Sequence, residues 1–356
     1  MHIPDGYLSP STCAAFYAAS APFWYTSLQK MKRALHTRMI PLLSVFGAFS
    51  FVIMMFNLPL PGGTTGHAVG VGIAAIVLGP WASILAISIA LTIQAVFFGD
   101  GGITALGANC FNMAIAGSLG AYWIYRAISG RAALDSMRRV VAAGLAGYLS
   151  INLSALLAAL EFGVQPLLFH DATGAPLYCP YPLHITIPAM MIGHLTVAGL
   201  AELVLSAGVV AYLQKAEPSL LRATAPGAAS SAASAAEPAG WRVARPLWLA
   251  LAVLLILTPL GILAVGTAWG EWAPQDFANP AARQQIAAAS GHQLPPAEVP
   301  AGLERLSTFW TAPIPRYAPP FLRSAMFGYT LSALAGTGFI LLVFLLAGWF
   351  SGRRPG

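Results

Sequence analysis

Charge is what this sequence has least of. Only 8% of its 356 residues are Asp, Glu, Lys or Arg, and 57% are hydrophobic, whereas soluble domains carry about a quarter charged residues. A water-soluble globule is therefore excluded. So is the nucleic-acid reading that a net charge of +6 would otherwise invite. Cysteine is scarce as well. Cys13, Cys110 and Cys179 are far apart and form no CxxC pair, which argues against a disulfide framework. No GxxxxGK[ST] phosphate loop is present, so the chain does not hydrolyse ATP itself. HExxH and GxSxG are missing, and nothing resembles a selectivity filter. No basic n-region precedes the first apolar stretch and no A-x-A-like cleavage site follows it. That stretch is expected to stay as a helix.

What the chain does have is apolar length, with a mean hydropathy of +0.71. A membrane span needs about 20 apolar residues. Such stretches are predicted near residues 12–28, 40–58, 104–126, 139–162, 184–213, 246–268 and 325–350. Residues 67–98 form one run too long for a single span. Gly79-Pro80 divides it into two helices, the first of them short. The expectation is an all-α polytopic membrane bundle of about seven transmembrane helices plus a two-helix C-terminal hairpin.

Basic residues orient this arrangement. Fourteen of them fall on one side of nine spans: Lys30, Lys32, Arg33, Arg38, Arg126, Arg131, Arg138, Arg139, Lys215, Arg222, Arg242, Arg245, Arg353 and Arg354. Arg283, Arg305, Arg316 and Arg323 fall on the other. The positive-inside rule then puts the N-terminus outside and the C-terminus inside. His36, in the first basic loop, reads as topological. Residues 216–240 are rich in Ala, Ser and Pro and read as a flexible linker. The linker separates a module at 1–215 from a second at 241–356, whose long outer loop is rich in proline.

The chemistry points to the chain start. In Met1-His2, a free amine, the His2 amide nitrogen and one imidazole nitrogen can all reach one ion, roughly in a plane. A fourth nitrogen would complete a square, which suits Ni(II) or Cu(II). His2 is large, so Met1 is expected to be retained. On the same side, a glycine-rich loop runs from Leu58 to His67. Non-helical backbone at membrane depth needs protein cover or a cavity, and a second imidazole there strengthens a site over a plain interfacial loop. A further glycine-rich loop carries Asp100 and leads into Asn109 and Asn112, which share a helical face. These two, and Gln94 on the preceding span, either support a metal-bound imidazole from behind or hold helices together. Ser44 and Ala48 in the second span admit a partner helix or pack internally. His194 and Glu202 form a structural pair or part of an ion path. His170 and His184 flank Cys179 on the outer side, where Cys179 with His184 is a weak nucleophile–base pair, and His292 reads as solvated.

Three segments carry a family resemblance: MHIPDGYLSP at the start, PGGTTGH ending at His67, and GGITALGANCFNM at 101–113. They resemble the CbiM/NikM family, the substrate-binding components of energy-coupling-factor transporters for cobalt and nickel. PLGILAVGTAWGEW at 259–272 resembles the accessory CbiN/NikN-like, PDGLE-type module, fused here in one chain. The resemblance implies Ni2+ or Co2+ as transported substrate, held by the Met1 amine, the His2 amide and imidazole nitrogens, and the His67 imidazole. It also implies a membrane coupling (T) component and two cytoplasmic ATPases as partners. The chain reads His67-Ala68-Val69-Gly70 where the family pattern continues His-Leu-Leu-Gly-Gly, so packing beside the ligand is expected to differ. Two other classes remain at this stage, a stand-alone divalent-cation channel or carrier and an intramembrane enzyme.

Overall fold

The computed structural model describes residues 1–32, 39–225 and 241–352. The predicted basic turn at Arg33, His36 and Arg38, linker residues 226–240, and Arg353 and Arg354 lie outside the described residues.

Helix α1 (Pro10–Met31) begins where local chemistry dictates. Ser9 Oγ accepts the Thr12 N–H at 3.1 Å and Pro10 takes the first helical position. Helix α2 (Ile40–Met54) leads into a small antiparallel hairpin, β1 (Leu58–Leu60) and β2 (Thr64–Gly66), with Leu58 opposite Gly66. The hairpin turns at Gly62 and Gly63, whose φ angles of 85° and 75° favour glycine. The long apolar run then breaks at Gly79-Pro80, as its sequence predicts. Helix α3 spans Val71–Leu78 and α4 spans Pro80–Ile93, continuing as a π-helical turn to Phe98.

The next path comprises α5 (Leu106–Asn109), a π-helical stretch Cys110–Ala116 and α6 (Gly117–Ser129). Helix α7 (Met137–Leu168) follows. Then come α8 (Leu183–Gly193), the π-turn His194–Ala198 and α9 (Gly199–Ala216). The C-terminal module contributes α10 (Trp241–Leu257), three short helices α11 (Pro274–Ala278), α12 (Pro280–Ala289) and α13 (Ala301–Leu306), and α14 (Ala325–Gly352).

Among the described residues four helices are long and apolar enough to cross a membrane: Pro80–Phe98, Met137–Leu168, Leu183–Ala216 and Ala325–Phe350. Helix α3 is not one of them. Its eight residues are all buried, and at 1.5 Å per residue they cover about 12 Å of a hydrocarbon layer about 30 Å thick. Residues 218–224 pack against α3, where Leu220 and Leu221 are buried and Thr224 Oγ1 donates to the Ile76 carbonyl at 2.7 Å.

Small residues set the helix crossings. A Cβ on Gly72 would lie 2.8 Å from the Gly147 Cα and would run into Ser206 Oγ, so α3, α7 and α9 meet nearly backbone to backbone. Ser44 and Ala48 follow the second of their two readings, internal packing. Both are buried inside this chain, and the neighbouring Gly47 faces Ile340 and Phe344 of α14 and the Ala86 carbonyl of α4. The small face of α2 is taken by the chain's own helices and leaves no room there for a partner.

Glu202 and His194 do not pair. His194 Nδ1 lies 2.7 Å from the Met190 carbonyl. Glu202 reaches from α9 to the start of α3, where Oε2 accepts the N–H groups of Val69 (2.8 Å) and Gly70 (2.9 Å) and Oε1 that of Gly72 (3.1 Å). A helix start leaves such donors unpaired, and no side chain of the local segment caps this one. Glu202→Leu strands these buried donors, each at about 1–3 kcal/mol. The expected outcome is a clearly lower thermal unfolding midpoint in detergent, with Glu202→Gln less affected.

Candidate metal centre

The first nine residues do not hang free. Met1, His2 and Ile3 are 3%, 1% and 0% exposed. The chain end is drawn in by a run of specific bonds. Asn109 Oδ1 accepts the Ile3 N–H at 2.8 Å, and Asn109 Nδ2 donates to the Ile3 carbonyl at 3.0 Å. Gly102 N–H donates to the same carbonyl at 2.8 Å. Asp5 accepts the N–H groups of Ile103 (3.2 Å) and Thr104 (2.7 Å). The Tyr7 hydroxyl donates to the Trp272 carbonyl at 2.8 Å, and Ser9 N–H donates to Gln165 Oε1 at 2.9 Å. A Cβ on Gly102 would run into the Asp5 nitrogen, so this approach requires glycine.

This strapping puts His2 beside His67, which follows β2 directly. Their ring centroids are 5.0 Å apart, with the planes tilted by 30°. His67 is buried. Burial first, then the neighbouring His2 and the terminal amine, push its pKa well below the ordinary value. A neutral imidazole with a free lone pair is what a metal needs. His67 Nδ1 lies 3.1 Å from the Ala68 carbonyl, an arrangement that puts the proton on Nδ1 and leaves Nε2 as the ligating nitrogen. The terminal amine lies 3.2 Å from Glu271 Oε1 of the C-terminal module. Among the described residues no three His, Cys, Asp or Glu side chains converge as a metal cage. The nitrogen donors gathered here include the backbone terminus.

The four candidate supporting residues separate. Asp100 is in direct contact, with Oδ1 2.8 Å from His2 Nδ1. Burial pushes the Asp100 carboxyl up, but the two imidazoles and the hydrogen bonds from His2 and Tyr317 together hold it well below the usual carboxylate range. Gln94 supports Asp100. Its Nε2 lies 3.3 Å from Asp100 Oδ2 and 2.9 Å from the Tyr317 hydroxyl, which itself donates to Asp100 Oδ2 at 2.5 Å. Asn109 grips the backbone of Ile3 and not an imidazole. Asn112 points elsewhere, donating to Glu161 Oε2 at 3.0 Å. The shared face expected of Asn109 and Asn112 is lost because the helix widens into its π-helical stretch at Cys110, between them.

His2 Nε2 is buried with no hydrogen-bond partner. Asp100 thus holds one nitrogen of this ring, and the other is left unsatisfied within the site. Asp5, Thr65, His67, Asp100, Glu271 and Tyr317 all border one cavity of about 860 Å³ between the loops of the two modules. Glu271 and Tyr317 were not singled out from the sequence, although an acid in so weakly charged a chain is itself a signal. The remaining histidines stand apart. His170, His184 and His292 are exposed. Cys179 is buried, and burial pushes its thiol up to about 12, so it is a poor nucleophile at neutral pH.

The chain is similar to known proteins along most of its length. Residues 2–220 match the family described as CbiM, the cobalt uptake substrate-specific transmembrane region, and residues 244–353 match the PDGLE domain. The chain is 56% identical over 341 residues to the fused nickel transport protein NikMN of Rhodobacter capsulatus, covering 96% of this chain and 95% of that one. It is 45% identical over 291 residues to the probable fused nickel transport protein LarMN of Lactiplantibacillus plantarum, covering 80% and 82%. A crystal structure of a truncated transition metal transporter superposes with a TM-score of 0.56 at 49% identity, over 60% of this chain and 98% of that one. The chain belongs to the CbiM family of cobalt uptake substrate-specific transmembrane proteins and carries a PDGLE domain at its C-terminal end.

Proposed function

We propose that this chain is the substrate-capture subunit of an ATP-driven, energy-coupling-factor importer for Ni2+ or Co2+. The observation that carries the reading is the burial of the terminal amine and His2 against His67. The ion is held by four nitrogens: the Met1 amine, the His2 amide, His2 Nδ1 and His67 Nε2. Only Nδ1 closes a chelate ring with the amide of its own residue. The metal therefore replaces the Asp100 hydrogen bond at that atom, and the imidazole proton moves to Nε2.

The chain itself is not an enzyme. Its energy comes from partners, a membrane coupling component and two cytoplasmic ATPases, consistent with the missing phosphate loop. It is a multi-pass protein of the bacterial inner membrane. The basic ends of the helices face the cytoplasm, and the site faces outward. A channel or carrier would need a row of free carboxylates along its path; of the two candidates, Glu202 has both oxygens occupied by backbone N–H groups, and Glu161 has one oxygen held by Asn112 and a single oxygen without a partner.

Acetylating the Met1 nitrogen takes the amine out of the chelate without adding a residue whose amide could replace it. That chain is expected to lose Ni2+ affinity in calorimetric titration by more than the ~10–100-fold that losing an outer partner of a ligand costs, whereas His67→Ala keeps three nitrogens and weakens binding less. Unchanged affinity in the acetylated chain would overturn the proposed donor set. Chelation removes one proton from the ammonium and one from the amide, so about two protons per Ni2+ should appear in weakly buffered solution. Binding must then weaken as pH falls, since protons compete for the same nitrogens. Replacing Cys13, Cys110 and Cys179 together by alanine should leave Ni2+ affinity within about twofold, a result that separates this reading from thiol chemistry.

A further inference from the structure

The C-terminal module meets the site through a short segment that is fixed on both sides. Ala268 bridges to Thr65, two residues before His67. Gly266 has φ of 119°, and a Cβ there would run into the Gly63 carbonyl oxygen. Trp269 and Trp272 are 4% and 6% exposed and meet edge to face at 5.6 Å. Trp269 Nε1 donates to Ser290 Oγ at 3.1 Å, and the Trp272 carbonyl accepts the Tyr7 hydroxyl at 2.8 Å. Glu271 lies between the two tryptophans. Its own N–H donates to the Ala268 carbonyl at 3.0 Å, and its carboxylate meets the terminal amine at 3.2 Å. A rigid aromatic frame therefore aims one carboxylate at one chain end.

We propose that Glu271 is a positioning residue that latches the Met1 amine in the capture site, so that the C-terminal module sets how ready the site is to take an ion. This rests on the N4 reading above. The nearest backbone hydrogen bonds on the N-terminal strap are those of Ile3, two residues away, and between them only the His2 side chain is held, by Asp100. Without Glu271 the amine swings about its own Cα and has to be brought back into place for each ion, which is a loss of preorganisation. Charge is balanced in both states. The empty site presents an ammonium, +1. The loaded site presents a divalent ion and a deprotonated amide, again +1. Glu271 thus faces the same net charge before and after capture, and nothing in loading expels it.

The test uses the full chain in detergent, free of metal, with Ni2+ alone as probe. Amide hydrogen exchange of the N-terminal peptide reads the latch, and stopped-flow mixing with Ni2+ reads capture. Glu271→Gln is expected to speed exchange at residues 2–6 and slow Ni2+ association, each about tenfold, the factor that corresponds to ~1.4 kcal/mol. Glu271→Asp should restore most of both, and the charge-reversing Glu271→Lys should loosen the N-terminal peptide further. Peptides from residues 137–168 should exchange as before. Unchanged N-terminal exchange in both Glu271→Gln and Glu271→Lys overturns the latch. So does loosening that spreads equally to residues 137–168, which marks a general structural role. An N-terminally acetylated chain that keeps its Ni2+ affinity overturns the N4 site instead, and leaves the exchange result standing.

Discussion

The grip of Asn109 on the backbone of Ile3 is the interaction on which the site depends. A side-chain amide accepts one bond and donates another, so Asn109 pairs with Ile3 as a neighbouring strand would. Chain ends ordinarily fray, and holding one residue costs about 1–2 kcal/mol of backbone entropy. Here the cost is offset along the whole strap, by Asp5 on the 103–104 backbone, Tyr7 on Trp272 and Ser9 on Gln165. Release Ile3, and neither the amine nor His2 has a defined place beside His67.

Scarcity of charge has a structural counterpart. Three acids are placed where glycine-rich loops enter the bundle. Glu202 holds the loop after His67, Asp5 holds the loop before α5, and Asp100 joins His2 to Tyr317 and Gln94. Irregular backbone at this depth has no water to satisfy it. Glu202 and Asp5 therefore do what a turn of helix does elsewhere, and the loops keep their open conformations.

Much of this was legible from residue order. Gly79-Pro80 broke the longest apolar run because the pair combines a left-handed residue with one lacking an N–H donor. Met1-His2, His67 and Asp100 pointed to one end of the bundle because they sit at the ends of apolar runs or in glycine-rich loops. The depth of α3 was not legible, since eight apolar residues read alike in a half-span and a frayed full one. The partner of Asn109 was hidden because a bond across 106 positions leaves no local pattern. Ser44 and Ala48 announced close packing without naming the neighbour, which turned out to be within the chain. Glu271 was overlooked because its importance comes entirely from where the two modules meet.

The shortness of α3 has a mechanical consequence. The helix is a rod of about 12 Å with Glu202 and the His67 loop at one end and the 218–224 segment, with its buried Leu220, Leu221 and Thr224, at the other. Those last residues also lead directly into the connection to the second module. A pull that lifts Thr224 off the Ile76 carbonyl removes the stop beneath the rod. The helix is then left with its Glu202 anchor, the same carboxylate that fixes the loop following His67. A disturbance at one end of so short a rod is passed to that loop with no long lever of helix in between.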